Sequence, residues 1–501
     1  MMPVERITGM DDLLPEQARQ LRSLDSALCS AFDSFGYQPV ATPVVERAEL
    51  FLRKSGSDIL TKLYAFDDQG GHQVTLRPEI TASLIRLFVE RGQAAALPVR
   101  WYYSGPVFRY ERPQRGRRRQ FTQVGLELIG AAGPAADAEA IAVAVAGLRA
   151  VGIGDFRVIL GHVGVILQLL ENLQLPDRLR GLLMANLEDL ARGRREPHQI
   201  EEELRGLGLV AGADGVLTSP SVPPLRGEGG QAVGGLNPEE SASLVRRMLA
   251  GIGPGTTGGR DPEEIVQRLV RKLATESEGQ RLDRALRFLH EFGRVRGSLQ
   301  PALAQAHEIV VRHGLNPAPL DDLREVAELL GEEGLGEREL QLDFGLARGL
   351  AYYSGMVFEV MDAQPGGQQL CGGGRYDGLV RALGGRGDVP ALGFAFGLER
   401  LVESVPGRDQ EGLPAGPVPG MLVSWSAPGG CRRALRLAHV WRAAGRYVEV
   451  DLRGRSRRAS LEYARRRGIA SVALVGNQES DDLFIDTETG QERRDAFSSA
   501  E

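Results

Sequence analysis

FRYERPQRGRRRQFTQVGLELIG, residues 108–130, is the stretch on which the reading of this chain turns. Two runs with β character flank an arginine-rich turn. Side chains alternate across a strand, so Arg109 and Glu111 are expected on one face of the first run. Gln123 and Glu127, four apart, share a face of the second if that strand is regular. One sheet face then offers a guanidinium, two carboxylates and an amide. That set suits a ligand carrying both a phosphate or carboxylate and an amine or imidazole. An exposed basic hairpin with a solvated salt-bridge face explains the same residues, and pattern alone leaves both readings open.

Outward from this stretch, residues 14–35 place apolar side chains at helical spacing and stop at Gly36. Short β-like runs follow (YQPVATPVV, HQVTLRP, VRWYYSGPVFRY), punctuated by Pro and Gly. Residues 135–150 read as a helix and FRVILGH, 156–162, as a strand. Residues 165–335 differ. They begin with helical patterns, then turn rich in Gly, Pro and Ser (LVAGADGVLTSPSVPPLRGEGGQAVGGLNPEES and GIGPGTTGGRDPEE). Such composition buries little apolar surface per residue, so long loops or disorder are expected there. Helical patterns resume at 261–274 and 281–330. Residues 339–400 return to β-rich sequence with glycine turns, and 404–418 reads as a linker. Beyond it, strand and helix patterns alternate, predicting a small α/β domain with a parallel sheet.

The chain's 501 residues are enough for two to four domains. With 42% hydrophobic and 25% charged residues, the composition is that of an ordinary globular protein. Cys29, Cys371 and Cys431 are far apart and form no CxxC pair, which argues against a disulfide framework or zinc site and for reduced thiols. No apolar h-region opens the chain and no run approaches membrane-span length, so a cytoplasmic protein is expected. A net charge of −6 gives no support of its own to a nucleic-acid partner.

Residues 108–130 resemble motif 2 of class II aminoacyl-tRNA synthetases in its histidyl-tRNA synthetase form. Four further segments resemble that family in order. They are the opening GMDDLLPEQ, the amino-acid-binding loop LRPEITA (76–82), the histidine motif ARGLAYYSGMVFE (347–359) and motif 3, GFAFGLERL (393–401). The resemblance runs over roughly residues 5–160 and 335–500. It implies that Glu79, Thr81, Gln123 and Glu127 bind histidine, and that Tyr352, Tyr353 and Tyr376 line the imidazole pocket. Arg109 and Glu111 would hold the α-phosphate and adenine side of ATP, Arg109 also bordering the histidine, and Arg400 the γ-phosphate end. Arg348 matches the arginine that neutralises charge during adenylate formation. Gly372 to Gly374 let backbone approach the ligand or, alternatively, form only a tight turn.

The family has two branches, and fold alone does not choose between them. One is the synthetase, which uses ATP and Mg2+ and charges tRNA. The other is the regulatory subunit of ATP phosphoribosyltransferase, which pairs with a short catalytic subunit at the first step of histidine biosynthesis. The synthetase motif reads Arg-Gly-Leu-Asp-Tyr-Tyr, whereas this chain has Ala351 in place of the Asp. Losing a carboxylate from a buried polar site strands its donors at about 1–3 kcal/mol. The Gly161–His162 pair also resembles the regulatory branch, with His162 used as a marker and not as an acid or base. The Gly/Pro-rich middle does not resemble the basic insertion that grips a tRNA acceptor arm. On the synthetase side, Arg348 is present, motifs 2 and 3 keep their charges, and DLRGRSRRASLEYARRRG offers seven arginines in a domain resembling an anticodon-binding one. A binding module with a decayed site is disfavoured by the intact charged set.

The regulatory reading weighs more. It implies histidine as a feedback signal, no tightly bound cofactor, a homodimer within a hetero-oligomer, and tRNA only under the alternative. The expected architecture is an α+β class II synthetase-like core, an antiparallel sheet of six to eight strands flanked by helices, in two parts (1–164 and 336–403). A helical, Gly/Pro-rich insertion (165–335) separates them, and a C-terminal α/β domain (418–501) follows.

Overall fold

The computed structural model describes residues 4–55, 62–92, 95–111, 118–206, 278–346, 352–364, 366–405, 420–425, 430–476, 478 and 482–494. The arginine-rich turn at 112–117, the Gly/Pro-rich region with the helical pattern at 261–274, Arg348 and Ala351 lie outside the described residues. The chain divides into two compact units, Met1–Asp12 with Leu24–Pro406, and Leu13–Ser23 with Gly407–Glu501.

Helix α1 (Pro15–Ser34), which belongs to the larger unit from Leu24 onward, is followed there by β1 (Gln38–Pro39), β2 (Val45–Arg47), α2 (Ala48–Ser55), β3 (Tyr64–Asp67), β4 (Gln73–Leu76) and α3 (Thr81–Leu87). Next come β5 (Val99–Phe108), β6 (Gln120–Ile129), α4 (Pro134–Ala150) and β7 (Phe156–His162). Helices α5 (Gly164–Asn172), α6 (Asp177–Ala191), α7 (Pro197–Gly206) and α8 (Glu278–Gly293) follow, then β8 (Arg296–Ser298), α9 (Leu299–Arg312) and α10 (Ala318–Glu332). The unit ends with β9 (Leu340–Asp343), β10 (Met356–Asp362), β11 (Gln369–Arg375), α11 (Leu379–Ala382), β12 (Ala391–Gly397) and α12 (Leu398–Ser404).

Nine strands form one sheet in the order β1-β5-β6-β12-β11-β10-β7-β9-β8. The central six, β5 to β7, pair antiparallel as expected. The sheet is larger than predicted because short strands extend both margins, and β1–β5 and β7–β9 pair in parallel. The sheet is therefore mixed. β8 is three residues long, too short to show a period, and lies in a stretch whose helical pattern otherwise holds.

Helices cover one face. Leu24, Leu28 and Phe32 recur every four residues in α1 and are fully buried, the stripe an amphipathic helix turns to a core. The Phe32 ring meets Tyr102, Phe394 and Phe396 at 5.6–6.4 Å. Gly36 at φ +79° ends this helical run in a conformation that costs glycine little. α4 is buried almost all round, from Ala136 to Leu148, and is opened by Pro134 at its first position.

In the smaller unit, β13 (Met421–Trp425), α13 (Gly430–Ala443), β14 (Val448–Val450), α14 (Arg457–Arg466) and β15 (Ser471–Val475) alternate as predicted, followed by β16 (Leu483–Asp486) and β17 (Glu492–Arg493). The sheet order is β14-β13-β15-β16-β17. β13 pairs in parallel with β14 and β15 across helical crossovers, but β16 and β17 run antiparallel, so the expected parallel sheet is mixed. The seven residues between β15 and β16 are too few for a crossover. No helix among the described residues is long and apolar enough to cross a membrane.

Candidate functional site

The face of the large sheet opposite α1 and α4 is hollow, and the register explains why. Glu127 lies opposite Gly393, and Gly393 opposite Gly374, so these residues share a face. By alternation, β12 presents Gly393, Ala395 and Gly397 to that face, and β11 presents Gly372 and Gly374. Two adjacent central strands thus carry side chains of one carbon or none, beneath a cavity of about 590 Å³. The glycine run is a central strand and not a tight turn. A Cβ on Gly373 would stand 2.2 Å from the Gly393 carbonyl oxygen, and one on Gly374 2.7 Å from that of Met356.

At the inner end, β6 is regular, so Gln123 and Glu127 do share the cavity face. Both are buried, at 8% and 0% exposure. Thr81, at the start of α3, donates its hydroxyl to Glu127 Oε1 at 2.7 Å. The Glu79 carboxylate accepts the Ala82 N–H at 3.1 Å and so caps the first turn of α3, a structural task besides any ligand. Burial and the neighbouring carboxylates of Glu127 and Glu79 push the Tyr103 hydroxyl well above its usual range. The Gln123 Oε1 is buried without a hydrogen-bond partner among the described residues, as is the Tyr376 hydroxyl. Buried polar atoms are normally satisfied, so these orphans facing a cavity mark where a ligand's polar groups fit.

Tyr352, Tyr353 and Tyr376 form a cluster with ring centroids 4.7–6.4 Å apart. Their shared hydrophobic cluster also receives Met184 of α6 and Leu167 of α5. An apolar body with hydroxyl tips suits an aromatic ring that carries polar atoms.

The outer end is charged. β5 stops at Phe108, so Arg109 and Glu111 lie just beyond it and not within it as expected. The Glu111 N–H turns back to the Arg109 carbonyl at 2.9 Å, which breaks the ladder. Both still line the cavity. Arg109 Nε donates to the Pro78 carbonyl at 2.9 Å, and its guanidinium sits 5.3 Å from the Phe121 ring centroid. Arg400 faces the same space from α12. Among the described residues no group of three or more His, Cys, Asp or Glu side chains is placed to hold a metal ion. Mg2+ ordinarily keeps its waters and is held largely through nucleotide phosphates, which does not call for such a group.

Of the residues singled out in the sequence, Glu79, Thr81, Arg109, Glu111, Gln123, Tyr352, Tyr353, Tyr376 and Arg400 line one cavity. Glu127 adjoins it through Thr81 and Gly393, while Arg348 lies outside the described residues. Several lining residues were missed. Glu399 accepts the Thr122 N–H with both oxygens at 2.9 Å, and burial raises its carboxyl. Glu359 accepts from Gln369 Nε2 at 2.9 Å. Lys62, Arg118 and Glu188 arrive from separate segments. Glu399 and Glu359 stood inside quoted motifs, whereas no local pattern marks Lys62 or Glu188. The opening segment also serves the site. The Gly9 carbonyl accepts the Arg119 N–H at 2.8 Å, and Asp11 pairs with Arg118 at 3.6 Å.

His162 ends β7, and its Nδ1 accepts the Gly164 N–H at 3.1 Å. Burial, reinforced by the Arg375 charge, lowers its pKa to about 4, so the ring is neutral at physiological pH.

Comparison with known proteins bears on this geometry. The family model described as histidyl-tRNA synthetase matches residues 9–206 and 259–401. A histidine–tRNA ligase of Methanococcus maripaludis is 30% identical over 96% of this chain and 94% of its own length. An ATP phosphoribosyltransferase regulatory subunit of Moorella thermoacetica is 35% identical over 93% of this chain and 97% of its own. Among solved structures, an ATP phosphoribosyltransferase regulatory subunit/histidyl-tRNA synthetase from Bacillus halodurans has the same fold. Its TM-score is 0.63 at 22% identity, covering 95% of this chain and 100% of that one. With its ordered motifs gathered around one cavity on a class II synthetase-like core, the chain belongs to the histidyl-tRNA synthetase family.

Proposed function

We propose that this chain is the regulatory subunit of an ATP phosphoribosyltransferase, binding histidine as a feedback signal and not activating it for tRNA. The observation that carries histidine binding is the pair of orphaned polar atoms, Gln123 Oε1 and the Tyr376 hydroxyl, on side chains that line the same cavity. They ask for a ligand with an amine and a polar aromatic ring. Ala351 supports the regulatory branch, because adenylation in a site that has lost a carboxylate would run against unpaired donors. So does the relative named as a regulatory subunit, which is 35% identical against 30% for the ligase above.

In this reading Glu79, Thr81, Gln123 and Glu127 receive the amino group, the three tyrosines receive the imidazole, and Arg109 borders the carboxylate. The protein assembles with a short catalytic subunit in the cytoplasm. A coupling of about 1–3 kcal/mol between histidine and the assembly suffices for feedback. The second reading, a histidine–tRNA ligase using ATP and Mg2+, is favoured by Arg348 in the sequence and by Arg109, Glu111 and Arg400 lining one cavity.

The test is histidine- and ATP-dependent pyrophosphate exchange on the purified protein, with tRNA charging measured alongside and histidine binding followed by calorimetry. Binding without exchange is expected, together with histidine-sensitive activation of a short-form catalytic subunit. Robust exchange and charging would overturn the regulatory reading in favour of the ligase.

A further inference from the structure

Arg375 and Tyr376 are consecutive but leave the sheet on opposite faces. Arg375 lies opposite Leu392, on the face packed by α4, and it reaches the first turn of that helix. Its Nε and Nη2 donate to Asp137 Oδ1 at 3.0 and 2.6 Å, and its Nη1 donates to the Ala131 carbonyl at 3.0 Å and to Asp377 Oδ1 at 3.2 Å. Arg375 and Asp137 are only 7% and 4% exposed. The Asp137–Arg375 contact joins residues 238 apart in the sequence.

The same three-residue segment grips the tyrosine loop. The Ser354 N–H donates to the Arg375 carbonyl at 2.8 Å, the Asp377 N–H donates to Ser354 Oγ at 2.9 Å, and Asp377 Oδ1 also accepts the Ala391 N–H at 3.1 Å. The Tyr376 N–H donates to the Ala391 carbonyl at 2.8 Å. Gly374 and Gly355 admit the close approach. A Cβ on Gly374 would stand 2.9 Å from the Tyr353 ring, and one on Gly355 3.0 Å from Arg375 Cδ. Tyr352 and Tyr353 immediately precede Ser354, and Tyr376 stands between the two clamped residues.

We propose that Asp137, Arg375 and Ser354 are positioning residues of the ligand pocket: the buried ion pair behind the sheet holds residues 375–377, and Ser354 passes that placement to Tyr352 and Tyr353, so that the three rings meet a ligand preformed. A guanidinium committed to a carboxylate, another carboxylate and a carbonyl has one orientation, which a lone packing contact does not impose. A pocket fixed in advance binds more tightly because the ligand need not order it. The inference rests on the histidine reading for its ligand but not for its geometry.

The experiment uses the full-length protein with two readouts. The first is ligand-free: 19F NMR of 3-fluorotyrosine-labelled protein, with Tyr352, Tyr353 and Tyr376 assigned by single Tyr→Phe variants. The second is the calorimetric histidine Kd, set beside thermal stability. Ser354→Ala removes a link without leaving a buried charge, and Asp137→Asn removes the ion pair. Arg375→Lys keeps the charge but not the fork. We expect the three assigned resonances to shift or broaden in Ser354→Ala and Asp137→Asn. The histidine Kd should rise roughly tenfold in Ser354→Ala with little change of Tm, and Arg375→Lys should be only partly rescued. Unchanged resonances and Kd in folded Ser354→Ala would overturn the proposal, even if Asp137→Asn fails to fold. If the wild-type protein binds no histidine, the histidine reading falls, and the NMR comparison alone decides the positioning role.

Discussion

Gly393 lies directly beneath the Glu127 carboxylate. A Cβ at position 393 would stand 1.9 Å from Glu127 Oε2 and 2.4 Å from the Leu126 carbonyl oxygen. Glu127 is fully buried, and its other oxygen is tied to Thr81. A glycine on β12 is thus what allows a carboxylate on β6 to lie flat across the neighbouring strand, and the amino-acid end of the cavity depends on that space.

Gly393→Ala should therefore act on binding more than a methyl group's volume suggests. Overpacking of this kind costs about 1–3 kcal/mol, and part of it is relieved by displacing the Glu127 side chain. We expect the histidine Kd to rise by roughly 100-fold, about 2.7 kcal/mol, in a protein that remains folded by circular dichroism. An unchanged Kd would show that the Glu127 carboxylate is not part of the histidine site.

Thr81→Val keeps the shape of the side chain and deletes the donor. Glu127 then loses its 2.7 Å hydrogen bond, and a hydrogen bond to a charged group contributes about 1.5–3 kcal/mol. Stability should fall by roughly that amount, and histidine affinity should fall with it because the carboxylate is no longer held in place. Urea titration with and without histidine checks both. Lost stability with intact affinity would make Thr81 a structural partner only.

How much of this could be read beforehand depends on how far apart the determinants are. Gln123 and Glu127 were legible because a period of two within one strand is local. Arg109 and Glu111 reach the expected place although β5 ends one residue short of Arg109, since a strand end and its continuation aim much the same way. The hollow itself was not legible. Gly372, Gly374, Gly393, Ala395 and Gly397 each look like turn or packing residues, and only the β11–β12 register puts them on one face. The Asp137–Arg375 pair is invisible for the same reason: no period links a helix start to a strand that follows more than 200 residues later. Lys62 and Glu188 come to the cavity from the segment before β3 and from α6, which no short motif spans.

His162 makes the stability of the fold depend on pH. Its folded pKa, about 4, lies below the ordinary imidazole value of 6.5. Between those values the unfolded chain binds more protons, so the His162 contribution to stability is complete above pH 6.5 and is lost as pH falls toward 4. Asp137 works the other way. Burial raises its carboxyl to about 6 against Arg375, so its contribution declines as pH rises from 3.8 to 6. With opposite signs over overlapping pH ranges, the two contributions largely mask each other in the wild-type curve. The difference between wild type and His162→Gln isolates the histidine, and it should widen from pH 4.5 to pH 6.5 in urea unfolding. A pH-independent difference would mean that the ring is not held neutral by burial beside Arg375.

Asp451 in the smaller unit sets a last expectation. It is 1% exposed and accepts from the Arg453 and Arg455 N–H groups at 3.0 and 2.6 Å, from Arg455 Nη1 at 2.5 Å and from Ser424 Oγ at 3.0 Å. It thereby ties the turn after β14 to β13 and presents the start of the arginine-rich helix α14. Burial opposes its charge, but these donors together hold its carboxyl below the usual range. Its stabilisation is present above the unfolded carboxyl value and is lost as pH falls through the folded one. Asp451→Asn replaces an acceptor oxygen with a donor facing donors, and should cost about 2–3 kcal/mol. Because the network lies wholly within the smaller unit, the loss should be local. Hydrogen exchange on the full-length protein should speed up in peptides from 420–425 and 446–475 and leave 120–129 and 391–397 unchanged. Acceleration of the large sheet as well would show that the two units unfold as one.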